Sequence, residues 1–371
     1  MVSRMMKTIV IDARIIDGST GHYTHHLLKH INLSHAQEFR FVVLTPSKTL
    51  RKWATEFPNL TVAPADEKSY SVAEQTSFVA RLESHKPDLV HFTMPQQPFL
   101  WVGPSVTTIH DLTLVRYDNI DMNKYVYKLK KGVFISLLRT VIMRSRAIIT
   151  PTEFVKNDIM SYMGKKYSHK IYAIHEAGDP IASEPEVMKQ FTDKRFIFYV
   201  GNAFPYKNVQ CVIDAYRILK QSYPDLHLVL AGKKDHFYAQ HESFVKKHAI
   251  QDVHFLGYIS DGQKRWALQH CVAYTSASYS EGFNISQLEA MYEGTPVVVS
   301  NASCHPEVAG DAALYFDPDD SGELADQVSR IIEDDSLRAS MVKKGKIRVK
   351  TFSWQRMADQ TVAVYRQALG E

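Results

Sequence analysis

The sequence predicts an α/β protein built from two doubly wound parallel sheets, and three features of the chain lead there. Short apolar runs of strand length alternate with helix-length segments from one end to the other, the pattern of parallel βαβ units. The chain has 371 residues, whereas a single hydrophobic core stops growing at roughly 250–300, so two domains are expected. A stretch rich in Pro, Gly and acid, HEAGDPIASEPE, interrupts the alternation within Ile174–Arg195, and a fresh apolar strand follows it.

In the first series, strands are predicted at Thr8–Ile11, Phe41–Leu44, Leu89–Phe92, Val106–Ile109 and Ala147–Ile149. A second series comprises Phe196–Val200, Leu226–Leu230, Val253–Leu256, Val272–Thr275 and Val297–Val299. The expected division is therefore a first Rossmann-like domain over 1–175, a second over 176–352, and a C-terminal segment over 353–371. In that last segment Met357, Val362, Val364, Tyr365 and Leu369 fall at helical spacing, which predicts one helix over Trp354–Leu369. Ligands of open parallel sheets bind beyond the carboxyl ends of the strands, so the loops that follow strands are where function is sought.

Composition narrows the class. Hydrophobic residues make up 45% and charged residues 23%, an ordinary globular balance, with a net charge of +4. The basic excess lies in the first half and the second half is acidic, so the halves are expected to meet different partners. No apolar run approaches the length of about 18 residues that a membrane-spanning helix needs. The start, MVSRMMKTIVIDAR, enters a strand without a signal-peptide core, which points to the cytoplasm. Cys211, Cys271 and Cys304 are scattered and odd in number, so neither a disulfide framework nor a zinc site is indicated.

The most informative stretch is SASYSEGFNISQLEAMYEGTPVVVSN, after strand Val272–Thr275. Ser276–Asn284 reads as a loop and Ile285–Tyr292 as a short helix ended by Gly294. The backbone of Gly282, Phe283 and Asn284 then lies at a helix N-terminus. Unpaired N–H groups and the positive end of the helix dipole favour an anion there, such as a diphosphate. Glu281 and Glu289 flank this anion site. Carboxylates beside an anion make electrostatic sense when they bind hydroxyl groups, since each can accept two directional hydrogen bonds from a vicinal diol.

Glu281 and Glu289, within EGF…LEAM…GTPVV, form the E-x7-E pattern of glycosyltransferase family 4, and the chain resembles that group of retaining enzymes. The resemblance implies the GT-B architecture, two Rossmann-like domains facing a cleft, and transfer of a hexose from a nucleotide-diphosphate sugar. It assigns Glu289 to the ribose hydroxyls and Glu281 to the transferred sugar and its developing positive charge. The amides of Gly282, Phe283 and Asn284 would support sugar and phosphate. Asn284 stands where a glycine is common in the family, and Ser286-Gln287 replaces a frequent proline-containing pair, departures that bear on sugar selectivity.

The resemblance extends to other loops. GNAFPYKNV follows strand Phe196–Val200 and matches the loop whose basic pair grips the diphosphate. Lys207 keeps one cation, while Tyr206 stands in place of the usual Arg, so Lys233 or Lys234 becomes a candidate for the second. His110, at the end of strand Val106–Ile109, matches a histidine near the anomeric centre. Its ring is expected to donate at one nitrogen and accept at the other. Asp111 would orient it or face the acceptor. In DARIIDGSTGHYTHHLL, Gly21 would let the backbone approach the donor phosphates. Phe352-Ser353-Trp354 is similar to the family's FSW element, which implies a last helix that crosses back to the first domain.

Two patterns look like metal sites and are not expected to be. Among His22, His25 and His26 only the first and last share a helical face, and no further ligand is evident. Asp317-Pro318-Asp319 has D-x-D spacing but resembles the family's Asp-Pro turn. No metal or cofactor is expected. The segment 122–146 interleaves Lys124, Lys128, Lys130, Lys131, Arg139, Arg144 and Arg146 with Tyr125, Tyr127 and Phe134. Such a basic amphipathic stretch suits peripheral contact with an anionic membrane, on its inner face, and Lys128 and Lys131 are acceptor-side candidates. An ordinary solvated helix face is the alternative. No nucleic-acid motif accompanies the charge. The acceptor is expected to be a saccharide or lipid-linked saccharide, used in surface polysaccharide or glycolipid synthesis. Mannose is modestly favoured as the transferred hexose, with UDP-hexoses as alternative donors. A nucleotide-sugar epimerase, a phosphorylase and a non-catalytic nucleotide-sugar-binding protein are the rival readings.

Overall fold

The computed structural model describes residues 6–18, 21–118 and 124–371. Among them, 6–112, 124–176 and 353–371 form one compact unit, and 113–118 with 177–352 form another.

The first unit is built on a seven-stranded sheet in the order β3-β2-β1-β4-β5-β6-β7, with every pair parallel. The strands are β1 Thr8–Asp12, β2 Arg40–Thr45, β3 Thr61–Pro64, β4 Leu89–Phe92, β5 Ser105–Thr108, β6 Ala147–Thr150 and β7 Ile171–Ala173. The second unit has a six-stranded sheet, β10-β9-β8-β11-β12-β13, again all parallel. Its strands are β8 Arg195–Val200, β9 Leu226–Ala231, β10 Val253–Gly257, β11 Ala273–Ser276, β12 Val297–Ser300 and β13 Ala313–Phe316. In both sheets the first strand of the unit lies third from one edge, and the chain order reverses beside it. This is the doubly wound topology, whose switch point falls between β1 and β4 in one unit and between β8 and β11 in the other.

Central strands are buried on both faces, which is why they read as near-continuous apolar runs; β1, β4, β5, β6, β11 and β12 are buried throughout. The sequence pattern missed β3, β7 and β13, and all three are edge strands with half-exposed residues. Ten predicted strands fall on observed ones. The predicted helices Ile285–Tyr292 and Trp354–Leu369 have those bounds in the structure.

The Trp354–Leu369 helix belongs to the first unit. It packs on the Gly21–Ser34 helix and covers the β4–β6 face of the sheet. Its buried Tyr365 hydroxyl lies 2.6 Å from Nδ1 of His91 on β4, whose Nε2 lies 2.9 Å from Thr108 Oγ1. Ser353 caps this helix at Arg356 N. In the second unit, Asn284, Asp320, Asp235 and Ser260 sit at helix starts, the last in a full capping box with Gln263.

Candidate active site

The second unit gathers the predicted donor residues at its switch point. Lys207 comes from the loop after β8, and Glu281 from the loop after β11. The two loops are tied by the Tyr279 amide, which donates to the Tyr206 carbonyl at 2.8 Å. Lys207 Nζ lies 2.5 Å from Glu281 Oε1, and Ser278 Oγ donates to the same oxygen at 2.8 Å. Both charged side chains are largely buried, 18% and 12% exposed. A buried ion pair at the carboxyl end of a parallel sheet is costly unless it is hydrogen-bonded, and this one is.

The Ile285–Tyr292 helix starts at Asn284, whose backbone is left-handed with φ 58°. No side chain caps this start, although asparagine is among the best capping residues. Phe283 is buried and packs edge-on against Phe352 at 5.4 Å between ring centroids, so this residue offers a ligand its backbone and not its ring. Glu289, one turn into the helix, is held by Lys264 Nζ at 2.8 Å. Lys264 lies on the Asp261–His270 helix, and the next residue, Arg265, donates to Glu293 at 3.2 Å. Lys264 is thus a cation held at this helix by a carboxylate. Lys233 and Lys234, the candidates from sequence for a second cation at the diphosphate, are exposed, and Lys234 pairs with Glu242 at 3.7 Å.

Asp317-Pro318-Asp319 forms a turn whose groups are engaged. The Asp319 amide donates to Asp317 Oδ1 at 2.9 Å, the Tyr279 hydroxyl donates to Asp319 Oδ1 at 2.5 Å, and Asn208 Nδ2 donates to the Pro318 carbonyl at 2.7 Å. The turn thus braces both donor loops.

In the first unit, His110 follows β5 and is flanked by two acceptors. Its Nδ1 lies 3.1 Å from Glu176 Oε1 and its Nε2 lies 3.1 Å from the Thr93 carbonyl. A carbonyl can only accept, and a carboxylate accepts, so both ring nitrogens carry hydrogen. Burial acts to lower the ring's pKa, but Glu176, the Thr93 carbonyl and Asp111 outweigh it and hold it above the ordinary value. This corrects the expected ring that donates at one nitrogen and accepts at the other. With both nitrogens spent on the protein, His110 offers a ligand its backbone and the ring's cationic field. Asp111 is half-buried beside it.

Gly21 opens the Gly21–Ser34 helix, but its missing side chain has a local cause. A Cβ there would lie 2.1 Å from the Ile16 carbonyl oxygen and 2.7 Å from that of Ile15. The glycine is required by the fold of its own loop, whatever approaches from outside. His22 and His26 stack on each other at 4.4 Å and on Trp354 at 5.4 and 4.3 Å. Burial, then the neighbouring His22, His25, Lys29 and His30, push His26 down to about 3. His25 instead pairs with Glu56.

A cleft of about 630 Å³ opens at the carboxyl ends of β1, β2, β3 and β4, around the switch point of the first sheet. Arg14 organises it. The guanidinium donates to both oxygens of Asp12 at 2.9 and 2.8 Å, to Glu74 at 2.9 Å and to the Glu67 carbonyl at 2.6 Å, and stacks 3.7 Å above Phe78. Sequence reading passed over this cleft, because Arg14 and Glu74 are 60 residues apart. The acceptor-side candidates Lys128 and Lys131 are not among the residues that line it; they lie on the Lys124–Arg144 helix, Lys128 exposed and Lys131 half-buried. The N-terminal part of the basic segment, residues 122 and 123, falls outside the described residues.

Comparisons with known proteins bear on the family and the fold. A family model described as glycosyl transferases group 1 matches residues 181–348, and one described as glycosyltransferase family 4 matches residues 21–181. The chain is 26% identical to the O-antigen chain mannosyltransferase B of Escherichia coli over 279 residues, 71% of this chain and 70% of that protein. It is 24% identical to the phosphatidyl-myo-inositol mannosyltransferase of Mycobacterium leprae, over 75% of this chain and 73% of that one. In fold it is similar to a sucrose-phosphate synthase from Thermosynechococcus elongatus, with a TM-score of 0.76, 17% identity, and coverage of 97% of this chain and 98% of that chain. Two doubly wound sheets, the loops after β8 and β11 meeting at Lys207 and Glu281, and two adjoining family models over 21–348 lead to one assignment: the chain is a glycosyltransferase of group 1, family 4, with the GT-B architecture.

Proposed function

We propose that this glycosyltransferase moves a hexose, mannose by preference, from a nucleotide-diphosphate sugar to a hydroxyl of a saccharide or lipid-linked saccharide, with retention and without a metal. The observation that carries the reading is the buried Lys207–Glu281 pair beside an uncapped helix start. A diphosphate draws Lys207 Nζ and the amides of residues 282–284. Glu281, released from Lys207, accepts hydroxyls of the sugar and favours its positive charge, while Glu289 accepts the ribose diol. The bond between the anomeric carbon and the phosphate oxygen breaks. The acceptor oxygen bonds to the same face of that carbon, and its proton passes to the departing phosphate oxygen. On this path no side chain serves as a strong base, and the cation that offsets the leaving charge is Lys207. His110, in the first unit, is assigned by the family resemblance to the sugar's anomeric side.

The likeness to two mannosyltransferases supports mannose, and that to the O-antigen enzyme supports surface polysaccharide synthesis. The cleft around Arg14 is where the acceptor is assigned, as it lies at the carboxyl edge of the first sheet. Peripheral contact with an anionic bilayer is assigned to the Lys124–Arg144 helix. Tyr125, Leu129 and Val133 recur every fourth residue and are 83%, 71% and 54% exposed, while Leu137, Leu138, Val141 and Ile142 are buried. Among the described residues no helix is long and apolar enough to cross a membrane.

The test is a thermal-shift screen of UDP-, GDP-, ADP- and dTDP-sugars, followed by transfer to mannoside acceptors and NMR assignment of the product anomer. A ligand that binds only the folded state raises apparent stability by an amount set by its affinity. GDP-mannose is expected to stabilise and to give an α-linked product. No stabilisation by any nucleotide sugar, or an inverted product, overturns the reading.

A further inference from the structure

Asn284 occupies the capping position of the Ile285–Tyr292 helix but does not cap it, and the structure shows where its side chain goes instead. Its Nδ2 lies 3.0 Å from Nε2 of His305, a fully buried residue at the start of the His305–Ala309 helix. The direction of this hydrogen bond is fixed by what stands behind the ring. Ser300 Oγ donates its one hydrogen to the Ser278 carbonyl at 2.6 Å. Toward His305 it can therefore only accept, and it lies 2.9 Å from Nδ1, with the Ser300 carbonyl a second acceptor at 3.1 Å. Nδ1 must carry hydrogen. Burial, only partly opposed by Glu281, pushes the imidazole down to about 4, so the ring is neutral and Nε2 is a bare lone pair. Nε2 therefore accepts from the Asn284 amide. Tyr274, buried behind the loop, is a second hydrogen-bonding neighbour of that side chain.

The consequence falls on the helix start. In the extended backbone usual at a helix start, an asparagine folds its oxygen back onto the first free amides of the helix; the left-handed backbone of Asn284 directs its side chain elsewhere. A non-glycine residue with φ 58° is uncommon and needs support. His305 supplies it, because it accepts from the amide group and holds residue 284 in the left-handed conformation. The same device recurs at the other donor loop. Asn208 precedes the Val209–Ser222 helix with φ 51°, makes no side-chain cap, and sends its Nδ2 to the Pro318 carbonyl at 2.7 Å.

We propose that His305 is a positioning residue for the donor: by accepting from Asn284 at Nε2 it holds residue 284 left-handed and its side chain off the helix start, and so fixes the 282–284 backbone whose amides are assigned to the sugar diphosphate. The inference rests on the donor site assigned under Proposed function.

The experiment is a double-mutant cycle read by calorimetric binding of GDP-mannose and UDP-glucose to the full chain, with His305→Leu, His305→Gln, Asn284→Gly and the His305→Leu/Asn284→Gly double variant. Leu fills the ring's place without an acceptor, and Gln restores one through its amide oxygen. Loss of one buried hydrogen-bond partner is expected to weaken binding by about tenfold in His305→Leu. His305→Gln should recover to within about threefold of wild type, on the same scale of partner loss and replacement. With glycine at 284 there is no side chain to fold back and no left-handed penalty, so adding His305→Leu to Asn284→Gly should weaken binding by less than about threefold. An equal loss in both backgrounds, or no loss in the wild-type background, overturns the proposal while wild-type binding leaves the donor site standing. Failure of the wild-type chain to bind either probe sinks both. Melting temperatures of the four variants separate this from a general loss of fold, which would not depend on the residue at 284.

Discussion

Replacing Lys207 by Ala removes the cation that the proposed mechanism sets against the leaving diphosphate. Its ammonium is largely buried and lies 2.5 Å from Glu281, whose carboxylate is 12% exposed. Two unit charges about 4 Å apart at an effective dielectric near 20 interact by about 4 kcal/mol before desolvation is counted. Desolvation takes part of this back, and the side chain's residual exposure takes more. Even half of the figure, at about 1.4 kcal/mol per decade, leaves a loss of roughly 30-fold, and the full figure roughly 1,000-fold. The substitution also strands Glu281, which then repels the diphosphate. We expect Lys207→Ala to lower kcat/KM by about 10²–10³ and to weaken a nucleoside diphosphate far more than the matching monophosphate. Calorimetry with GDP against GMP, and UDP against UMP, measures that difference. Equal losses for mono- and diphosphate would place Lys207 away from the diphosphate, and turnover at the wild-type rate would remove it from the site.

Glu289→Ala should erase the preference for ribonucleotide over 2′,3′-dideoxynucleotide, a preference that binding assays on wild type should show at about tenfold, the scale of a charge-assisted hydrogen bond; an unchanged preference in the variant assigns the ribose elsewhere. Dialysis against EDTA should leave transfer unaltered, and activity lost and then restored by Mg²⁺ or Mn²⁺ would contradict the metal-free mechanism. Stability should peak near pH 6.5, as followed by urea unfolding at several pH values. His91 and His305, fully buried and held down to about 3 and about 4, take up protons on unfolding below their ordinary value. Each should therefore cost up to about 1.4 kcal/mol per pH unit as pH falls from 6.5. His110 and His35 are raised instead, so what they contribute is present below that pH and is lost as it rises. A monotonic dependence from pH 5 to 8 would count against these protonation states.

What was legible in the sequence follows the physics of burial and local geometry. Central strands such as Val297–Ser300 are buried on both sides and announce themselves as unbroken apolar runs. Edge strands such as Ile171–Ala173 do not, since half their surface faces solvent. The Ile285–Tyr292 helix was readable because its loop, its apolar face and the glycine at 294 are contiguous in the chain. Glu281, Glu289 and Lys207 were singled out through a short motif and a loop, and the fold carries Lys207 and Glu281 to one switch point. Gly21 was singled out for an approach to phosphate, whereas the structure gives its missing side chain a local cause that the chain could not show: the nearest obstacle to a Cβ is the carbonyl of Ile16, five residues back.

Pairings resisted reading because charge is visible in a sequence and distance is not. Lys264 is one lysine on an unremarkable helix until the fold sets it 2.8 Å from Glu289, and nothing local distinguishes it from Lys233 or Lys234. The same holds for the two asparagines at the donor loops. Each stands where local chemistry predicts a helix cap, and each is diverted by a distant acceptor, His305 for one and the Pro318 carbonyl for the other. Local preference and tertiary demand disagree at both positions, and conflict of that kind costs stability wherever it is not compensated by function. The conflict recurs at the starts of the helices following β8 and the Glu281 loop, with left-handed backbone in both. A cap in either place would stabilise the helix and, on the proposed reading, occupy the position assigned to the diphosphate.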